Sequence, residues 1–465
     1  MIKTMILNKY FSRLFCLVAL AAIPSCRKFV NAGIPQTQTI RSAVFQDNAT
    51  ALSALQGLYS EMMNSTGFAS GSNSSVTLLA GSSADEFNEY TTNSDRLQFN
   101  TNDLLPTNTL LENSLWGECY KYIYQANSIV EGVSHSTSLS SEVRNQLTGE
   151  SKFIRAFCYF YLIHLFGPVP LVLTTDYRIN QSLSRGEASE VVTQMIADLK
   201  EAEKLLLPDF STGGGERIRP NRGAAQALLA RIYLYLGNWK NAEDYATQLI
   251  KQSDTYQLES DLSRVFLKNS REAIWQLRPV VPGINSWEGY TFIFTSFPNF
   301  VALTNSFLQS FEPLDKRRIE WIDSTANGSI IYYFPFKYKI QTGNDLNEYS
   351  MVLRLAEQLL IRAEAYARQD KMVEAQADLN AIRTRAGLPN TTAMTQSDLL
   401  AAIEQERKIE LFSEWGHRWL DLKRLGHINT VLGTSKPDWQ ARDSLYPIPQ
   451  PEIQNDPHLN QNPGY

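Results

Sequence analysis

The chain has 465 residues, of which 43% are hydrophobic and 20% are charged, a composition typical of a globular protein with a large buried core. With 43 Lys and Arg against 48 Asp and Glu, its formal net charge is -5, and the charges are dispersed along the sequence. This mildly acidic balance argues against nucleic acid as a partner.

The first 25 residues differ from the rest of the chain. Three basic residues precede an apolar run over 14–23, which is too short to span a bilayer and is typical of a signal-peptide core. The run ends in Ile23-Pro24-Ser25-Cys26, which is similar to the lipobox of bacterial lipoproteins, where the cysteine is acylated. We therefore predict a lipoprotein signal peptide over 1–25, lipidation at Cys26 and a polar tether over 26–39. Ordinary secretion with an unmodified Cys26 is the alternative.

Helical periodicity dominates the sequence that follows, over 51–62, 116–130 and 150–165. Two later segments then repeat one design of helix, tight turn and helix, in which Leu228-Leu229-Ala230-Arg231 corresponds to Leu359-Leu360-Ile361-Arg362. Small alanines between large residues are typical of tetratricopeptide-type helical pairs. We predict such pairs near 221–251 and 354–385, within a single domain over 40–465 that is all-α, or mainly α-helical.

Two stretches depart from the helical pattern. Residues 64–109 are rich in Ser, Thr, Asn and Gly, and residues 270–348 combine turns and aromatics with short β-like runs at Ala273–Leu277 and 330–336. Long irregular excursions from a packed scaffold are where binding sites usually lie. We therefore expect long loops and a few short strands to build a ligand face on the helical scaffold.

The stretch from 403 to 426 carries two stripes of residues at helical spacing. The apolar stripe consists of Leu411, Trp415, Trp419 and Leu422, and the charged stripe consists of Arg407, Glu410, Glu414, Arg418 and Asp421. We predict one helix that carries a ladder of ion pairs. Gly416 disfavours the interior of a helix, which indicates that another segment lies close against this face.

Prolines then alternate with other residues in Tyr446-Pro447-Ile448-Pro449-Gln450-Pro451, which predicts extended backbone. The chain continues to Asn460-Gln461-Asn462-Pro463-Gly464-Tyr465. Together with the charged stripe, these two strings closely resemble the C-terminal signature of the SusD/RagB family of bacterial outer-membrane nutrient-binding lipoproteins.

The resemblance implies a protein that captures oligosaccharides or polysaccharides and passes them to a SusC-like TonB-dependent transporter, on which it sits as a lid. It implies a lipid anchor in the outer membrane and no cofactor. Exposure on the cell exterior is inferred from the family alone, because Arg27-Lys28 follows Cys26 where an acidic run often marks surface export. The alternatives are capture of peptides or another non-glycan nutrient, and a pure interaction scaffold made of helical repeats.

Sugars stack on flat aromatic rings while polar side chains bond their hydroxyl groups, so a sugar site in the irregular stretches needs both kinds of residue. The candidate ligand-binding residues are Trp287, Tyr290, Asn285 and Glu288 in one stretch, and Tyr90, Asn93, Asp95 and Arg96 in the other. The first set is favoured because Gly283 and Gly289 flank its aromatics. Trp321 and Tyr332 are weaker candidates, and core packing is the competing interpretation of every ring.

Enzyme motifs are missing from the sequence, which has no CxxC, HExxH, G-x-S-x-G or phosphate-binding glycine-lysine loop. The five histidines lie far apart without metal-ligand spacing, so no metal site is predicted. Asp85, Glu86 and Glu89 were considered as a glycosidase pair, but adjacent residues cannot by themselves flank a substrate at the separation this chemistry needs. We therefore predict a binding protein without catalytic residues.

Overall fold

The computed structural model of the protein describes residues 41–64 and 67–465. Residues Phe45–Tyr465 form one compact unit, and the one-turn helix Arg41–Val44 belongs to a separate one. The predicted signal peptide, Cys26 and the tether lie outside the described residues.

Helices make up most of the described chain, so the predicted mainly α-helical class is confirmed. In chain order they are α1 (Arg41–Val44), α2 (Asn48–Met62), α3 (Val76–Ser83), α4 (Ser94–Thr101), α5 (Gly117–His135), α6 (Ser141–Phe166), α7 (Tyr177–Asn180), α8 (Ala188–Leu205), α9 (Arg222–Tyr235), α10 (Trp239–Ile250), α11 (Trp287–Phe292), α12 (Asn305–Leu308), α13 (Arg317–Glu320), α14 (Leu355–Arg368), α15 (Met372–Arg385), α16 (Gln396–Glu410), α17 (His417–Arg424), α18 (Ile428–Ser435) and α19 (Gln450–Asn455). A π-helical segment, Leu111–Trp116, leads into α5.

The scaffold is an array in which each long helix packs against the next. The order of contact is α5, α6, α8, α9, α10, α14 and α15, with α16 packed on α14 and α15. The two predicted helical pairs are α9 with α10 and α14 with α15. Fully buried alanines such as Ala242 and Ala375 lie within these pairs, where small side chains let the helices approach closely.

The strands are short and pair antiparallel in twos. They are β1 (Phe87–Glu89), β2 (Ala273–Leu277), β3 (Val301–Leu303), β4 (Ile322–Asn327), β5 (Ile330–Pro335) and β6 (Ser350–Arg354). β1 pairs with β3, β2 with β6, and β4 with β5. Both β-like runs expected from the sequence are strands, because their β-branched and aromatic side chains suit a pleated surface.

The Ser-rich stretch 64–109 is not the long loop that we expected. Nearly every residue from 67 to 87 is buried, and α3, β1 and α4 lie within the stretch. Its small residues allow close packing, since a Cβ added at Gly71 would lie 2.2 Å from the carboxyl carbon of Glu288, and one at Gly81 would lie 2.5 Å from the Phe87 ring. The composition that suggested a loop is therefore a consequence of packing.

The prediction of a single helix over 403–426 is wrong. α16 ends at Glu410 and α17 begins at His417, and between them Ser413, Trp415 and Gly416 adopt positive φ of 50°, 49° and 69°. A Cβ at Gly416 would lie 2.7 Å from the Cβ of Ala80 in α3, so the predicted close approach of another segment is confirmed. The helix is therefore interrupted at the point where the chain packs against α3.

The charged residues of this region form no ladder along a helix, because they bind partners that the fold brings to them. Arg407 pairs with Asp421, Arg418 with Asp85, Glu414 with Arg354 and Lys337, and Glu410 with Arg317, Arg354 and Arg385. All these side chains are buried. The ion pairs therefore tie α16 and α17 to segments far away in the sequence.

The proline-rich segment is extended only as far as Pro449. Gln450 and Pro451 begin α19, contrary to the predicted extended backbone, because proline is tolerated in the first turn of a helix, where its missing N–H has no partner to lose. The Tyr446 ring packs 5.4 Å from Trp419, and its hydroxyl donates to Ser83 Oγ at 2.9 Å. The segment thereby covers α17 and the end of α3.

Candidate ligand-binding site

Trp287 and Tyr290 form a pair of rings on the short helix α11. The side chain of Ser286 caps this helix by accepting from the Gly289 N–H at 3.0 Å. The two ring centroids lie 5.4 Å apart at an interplanar angle of 87°, and the Trp287 indole N–H donates to the carbonyl oxygen of Met63 at 3.0 Å. Trp287 is half-buried and Tyr290 is 40% exposed, so the ring pair is held in place yet open to solvent.

Asn285 and Glu288, predicted to bond sugar hydroxyls beside this ring pair, do not face solvent. Asn285 is fully buried, where its amide oxygen accepts from the Asn347 N–H at 2.7 Å. Glu288 is also buried and accepts from Ser350 Oγ at 2.5 Å, and burial raises its pKa to about 7. Packing requires glycine at position 289, since a Cβ added at Gly289 would lie 2.4 Å from the carbonyl oxygen of Ile340. Both polar side chains therefore serve the fold.

In the second predicted set, the Tyr90 ring is accessible and the polar side chains are bonded within the protein. Tyr90 is half-buried and packs edge-on against Phe297 and Tyr332, with centroids 5.5 and 5.3 Å away. Phe297 is 48% exposed and was not expected from the sequence, where nothing distinguishes it from the other phenylalanines of this stretch. Tyr90, Phe297 and Tyr332 form an aromatic trio in which Phe297 and part of Tyr90 are open to solvent.

The polar members of that set are bound within the protein. Asn93 caps α4 by accepting from the Arg96 N–H at 3.0 Å, and Asp95 accepts from the Thr109 N–H at 3.0 Å. Arg96 is buried and pairs with Glu89 at 2.6 Å. These three side chains stabilise the turn around α4 and leave Tyr90 as the accessible member.

The two weaker candidates are core residues. Trp321 is fully buried and its indole N–H donates to the Leu262 carbonyl oxygen at 3.0 Å. Tyr332 is 9% exposed and packs with Phe294 and Phe334. Core packing is therefore the interpretation that the structure supports for both.

A cleft of about 700 Å³ lies beside α2. Its walls come from four segments: α2, a 3-10 turn at Ser211–Gly213, the residues before α9, and the loop after β2. Sequence reasoning missed it, although the run Gly213-Gly214-Gly215 marks the open rim, where no atom lies within 4 Å of a Cβ built at Gly214 or Gly215. Its volume is within the range of small-molecule sites.

A buried hydrogen-bonded group fixes one wall of the cleft. The Tyr59 hydroxyl donates to Glu150 at 2.5 Å, and Arg219 donates to the same carboxylate at 2.6 Å from Nε. Burial and the neighbouring Glu150 charge raise the pKa of Tyr59 well above its usual value, so its hydroxyl stays protonated. These groups give the cleft a rigid wall.

The carboxylates considered as a glycosidase pair are structural. Burial favours a higher pKa for Asp85, but Arg418 and Lys408 outweigh it and lower the pKa to about 2. Glu86 is 1% exposed and accepts from the Ser413 N–H at 3.1 Å, and burial raises its pKa to about 7. Asp85 reaches the wall of a smaller cleft, of about 410 Å³, but both its oxygens are held by cations.

Metal ligands are not gathered anywhere in residues 41–64 and 67–465, where no group of three or more His, Cys, Asp and Glu could hold an ion. Cys119 and Cys158 are buried free thiols. At the ring pair and the cleft, the groups open to a ligand are therefore exposed rings and neutral or cationic side chains.

A helical scaffold that presents exposed rings on irregular segments defines a binding protein of the helical-repeat class. Comparison with known proteins then identifies its family. Residues 318–465 match the sequence model of the SusD family, and residues 43–234 match a model described as "Starch-binding associating with outer membrane". The chain belongs to the SusD family.

Relatives and solved structures of this family match most of the chain. SusD-like protein P2 of Formosa agariphila is 27% identical over 90% of this chain and 93% of its own, and starch-binding protein SusD of Bacteroides thetaiotaomicron is 23% identical over 68% and 72%. A SusD superfamily protein from Bacteroides vulgatus has a TM-score of 0.79 at 22% identity, covering 90% of this chain and all of its own. A laminarin-binding SusD-like protein has a TM-score of 0.74 at 24% identity, covering 90% and 99%.

Proposed function

We propose that the protein binds oligosaccharide or polysaccharide nutrients at the ring pair Trp287 and Tyr290 and releases them chemically unchanged. The observation that carries the proposal is this solvent-open pair, oriented by the hydrogen bond from Trp287 to Met63. The starch-binding and laminarin-binding relatives support a glycan as the ligand. Rings at right angles would contact a curved or branched chain from two sides, and stacking supplies most of the affinity.

The double substitution of Trp287 and Tyr290 by Ala tests this function. We expect it to abolish retention on a recognised polysaccharide in affinity electrophoresis, because binding by a few rings is lost when both are removed. Circular dichroism should stay as in the parent protein, and neither protein should release reducing ends.

A matched control is Tyr177→Ala, which removes a ring that is 72% exposed elsewhere on the chain. It should leave retention unchanged. Undiminished binding by the double variant would instead place the site at the aromatic trio, to be tested with Tyr90→Ala and Phe297→Ala. Steady release of reducing sugar by the parent would overturn the binding function.

We further propose that Cys26 anchors the protein in the outer membrane, facing the cell exterior, and that bound glycan passes to a SusC-like TonB-dependent transporter. The description of the matched family as associating with the outer membrane supports this location. Within the described residues, no helix has the length and apolar character needed to cross a bilayer. An acyl anchor adds roughly 0.8 kcal/mol of membrane affinity for each buried methylene.

Cys26→Ala should move the protein from the membrane fraction to the soluble fraction after cell lysis, because the substitution removes the acceptor of the lipid. Cys119→Ala, which changes a buried thiol in α5, is the control and should leave the protein in the membrane fraction. Membrane retention of Cys26→Ala at the parent level would refute the anchor.

A further inference from the structure

The ring pair and the cleft are linked through α2 and the residue that follows it. Tyr59 and Ser60 of α2 line the cleft, and the carbonyl oxygen of Met63, the residue after α2, accepts the hydrogen bond from Trp287. At 1.5 Å of rise per residue, Ser60 and Met63 are separated by only about 4.5 Å along the helix axis. The loop after β2 runs from the cleft wall at Val280 to α11. The segment that lines the cleft therefore continues directly into the residue that orients the Trp287 ring.

The cleft supplies the polar groups that the ring pair lacks. Gln56, Ser60, Thr212 and Arg278 line it, and none of these side chains has a hydrogen-bond or ion-pair partner in the part of the chain that the structure describes. Gln56, Ser60 and Arg278 are exposed. Beside the rings, by contrast, Asn285 is bound to backbone partners.

The charges in the cleft are not balanced. Two arginines line it, and Arg219 is neutralised by the buried Glu150, which it contacts at 2.6 and 2.9 Å. Arg278 has no such partner among the described residues. Glu216 lies nearby, where it accepts from the Tyr349 hydroxyl at 3.2 Å, but it makes no ion pair with Arg278. Arg278 thus forms no ion pair within the described residues, although its charge and that of Glu216 both act on the Tyr349 hydroxyl.

We propose that the cleft is the second half of the ligand site and that it binds an anionic substituent, a carboxylate or a sulfate ester, of the glycan held on the ring pair. The proposal rests on the proposed function. A guanidinium group offers paired N–H donors that match the oxygens of either anion, and Arg is suited to this recognition by its planar fork. Gln56, Ser60 and Thr212 can bond the sugar hydroxyls around that group, as hydroxyl and amide side chains do in carbohydrate sites.

Matched pairs of charged and neutral ligands test the proposal by titration calorimetry. Oligogalacturonates are compared with their methyl esters, and sulfated carrageenan oligosaccharides with their desulfated forms. We expect the parent protein to bind the charged member of at least one pair at least about tenfold more tightly than the neutral member. Arg278→Gln should remove that preference, because loss of a contacting charge lowers the affinity for an anionic ligand by about this factor. Which pair shows the preference distinguishes carboxylate from sulfate.

Three further measurements separate this proposal from simple charge effects. Arg264→Gln removes one exposed positive charge outside the cleft and should keep the preference. Arg278→Lys should restore part of it, since a lysine keeps the charge without the planar fork. Raising the salt concentration should weaken binding of the charged ligand in the parent protein and leave the Arg278→Gln variant nearly unaffected.

The outcomes are distinguishable from failure of the proposed function. Equal affinity for charged and neutral members in both pairs, or an unchanged preference in Arg278→Gln, would overturn the anionic site and leave the ring pair standing. If the charged ligand still binds when both rings are replaced by Ala, and Arg278→Gln alone removes it, the cleft is supported and the ring pair is not. Loss of the preference in Arg264→Gln as well would show a general charge effect and overturn the proposal.

Discussion

Glu410→Ala is expected to lower the free energy of unfolding by about 3–5 kcal/mol, since it removes the central anion of a buried charge cluster. Glu410 is fully buried, with Oε2 2.9 Å from Arg317 and Oε1 2.6 Å from Arg354, and it also pairs with Arg385. Burial alone would raise the pKa of Glu410, but the three guanidinium charges outweigh it and hold the pKa well below its usual range. Alanine would leave those cations buried without their shared partner.

Urea unfolding at neutral pH measures this loss. Glu61→Ala is the matched control, because Glu61 pairs with Lys121 at a site where both side chains are about two-fifths exposed, and its removal should cost at most about 1 kcal/mol. If Glu410→Ala does not accumulate as folded protein, Glu410→Gln keeps the shape and some hydrogen bonds and should fold with reduced stability. A loss as small as the control's would mean that the cluster contributes little to stability.

Arg418→Ala is expected to lower the free energy of unfolding by about 2–3 kcal/mol at neutral pH. This is about the stability that a carboxylate contributes when folding lowers its pKa by the amount found for Asp85. Arg418 donates to both oxygens of Asp85, at 2.7 and 3.0 Å, and neither residue is more than 8% exposed. Our sequence interpretation gave Arg418 a partner within its own helix, Glu414 or Asp421. The true partner, Asp85, lies beyond the end of α3.

The pH dependence of this effect has a definite sign. The pKa of Asp85 is lowered from 3.8 to about 2 in the folded protein, so ionised Asp85 stabilises the fold above the unfolded value, and this stabilisation is lost as the pH falls toward the folded value. Without Arg418, burial would favour the protonated form. The deficit of the variant should therefore be largest at pH 7 and should shrink as the pH falls toward about 3.

Melting temperatures across this pH range test the prediction. Arg178→Ala is the control, because Arg178 pairs with Asp176 on the surface with its own side chain 72% exposed, and such a pair contributes at most about 1 kcal/mol. An Arg418→Ala deficit that does not change with pH would show that the loss comes from packing and not from the ion pair.

The fold could be predicted from the sequence where the local pattern of residues determines the structure. Apolar periodicity over 51–62 was enough to indicate α2, and in the structure the Asp47 side chain caps this helix by accepting from the Ala49 and Thr50 N–H groups. The break between α16 and α17 could not be predicted, because the positive φ of Trp415 is held by tertiary contacts. Its indole N–H donates to the Met351 carbonyl oxygen at 2.7 Å.

The candidate site was predictable in its rings and not in its polar groups. Nearby glycines led us to favour Trp287 and Tyr290, and the structure leaves Tyr290 40% exposed and Trp287 half-buried. Spacing does not show whether Asn285 and Glu288 point outward. The cleft beside α2 was missed because four separate segments form it. Whether the ring pair binds a glycan remains a prediction.

The contact of α3 with Gly416 has a consequence for how the chain acquires its structure. The Thr77 hydroxyl accepts from the Trp415 N–H, 338 residues later, and Ser83 accepts from Tyr446, 363 residues later. A chain that emerges N-terminus first thus holds α3 without these C-terminal partners until nearly all of its length has been made. Folding of this region must close very long loops, which slows it and prolongs exposure of apolar surface. The family signature near the C-terminus therefore also supplies the last packing partners of α3.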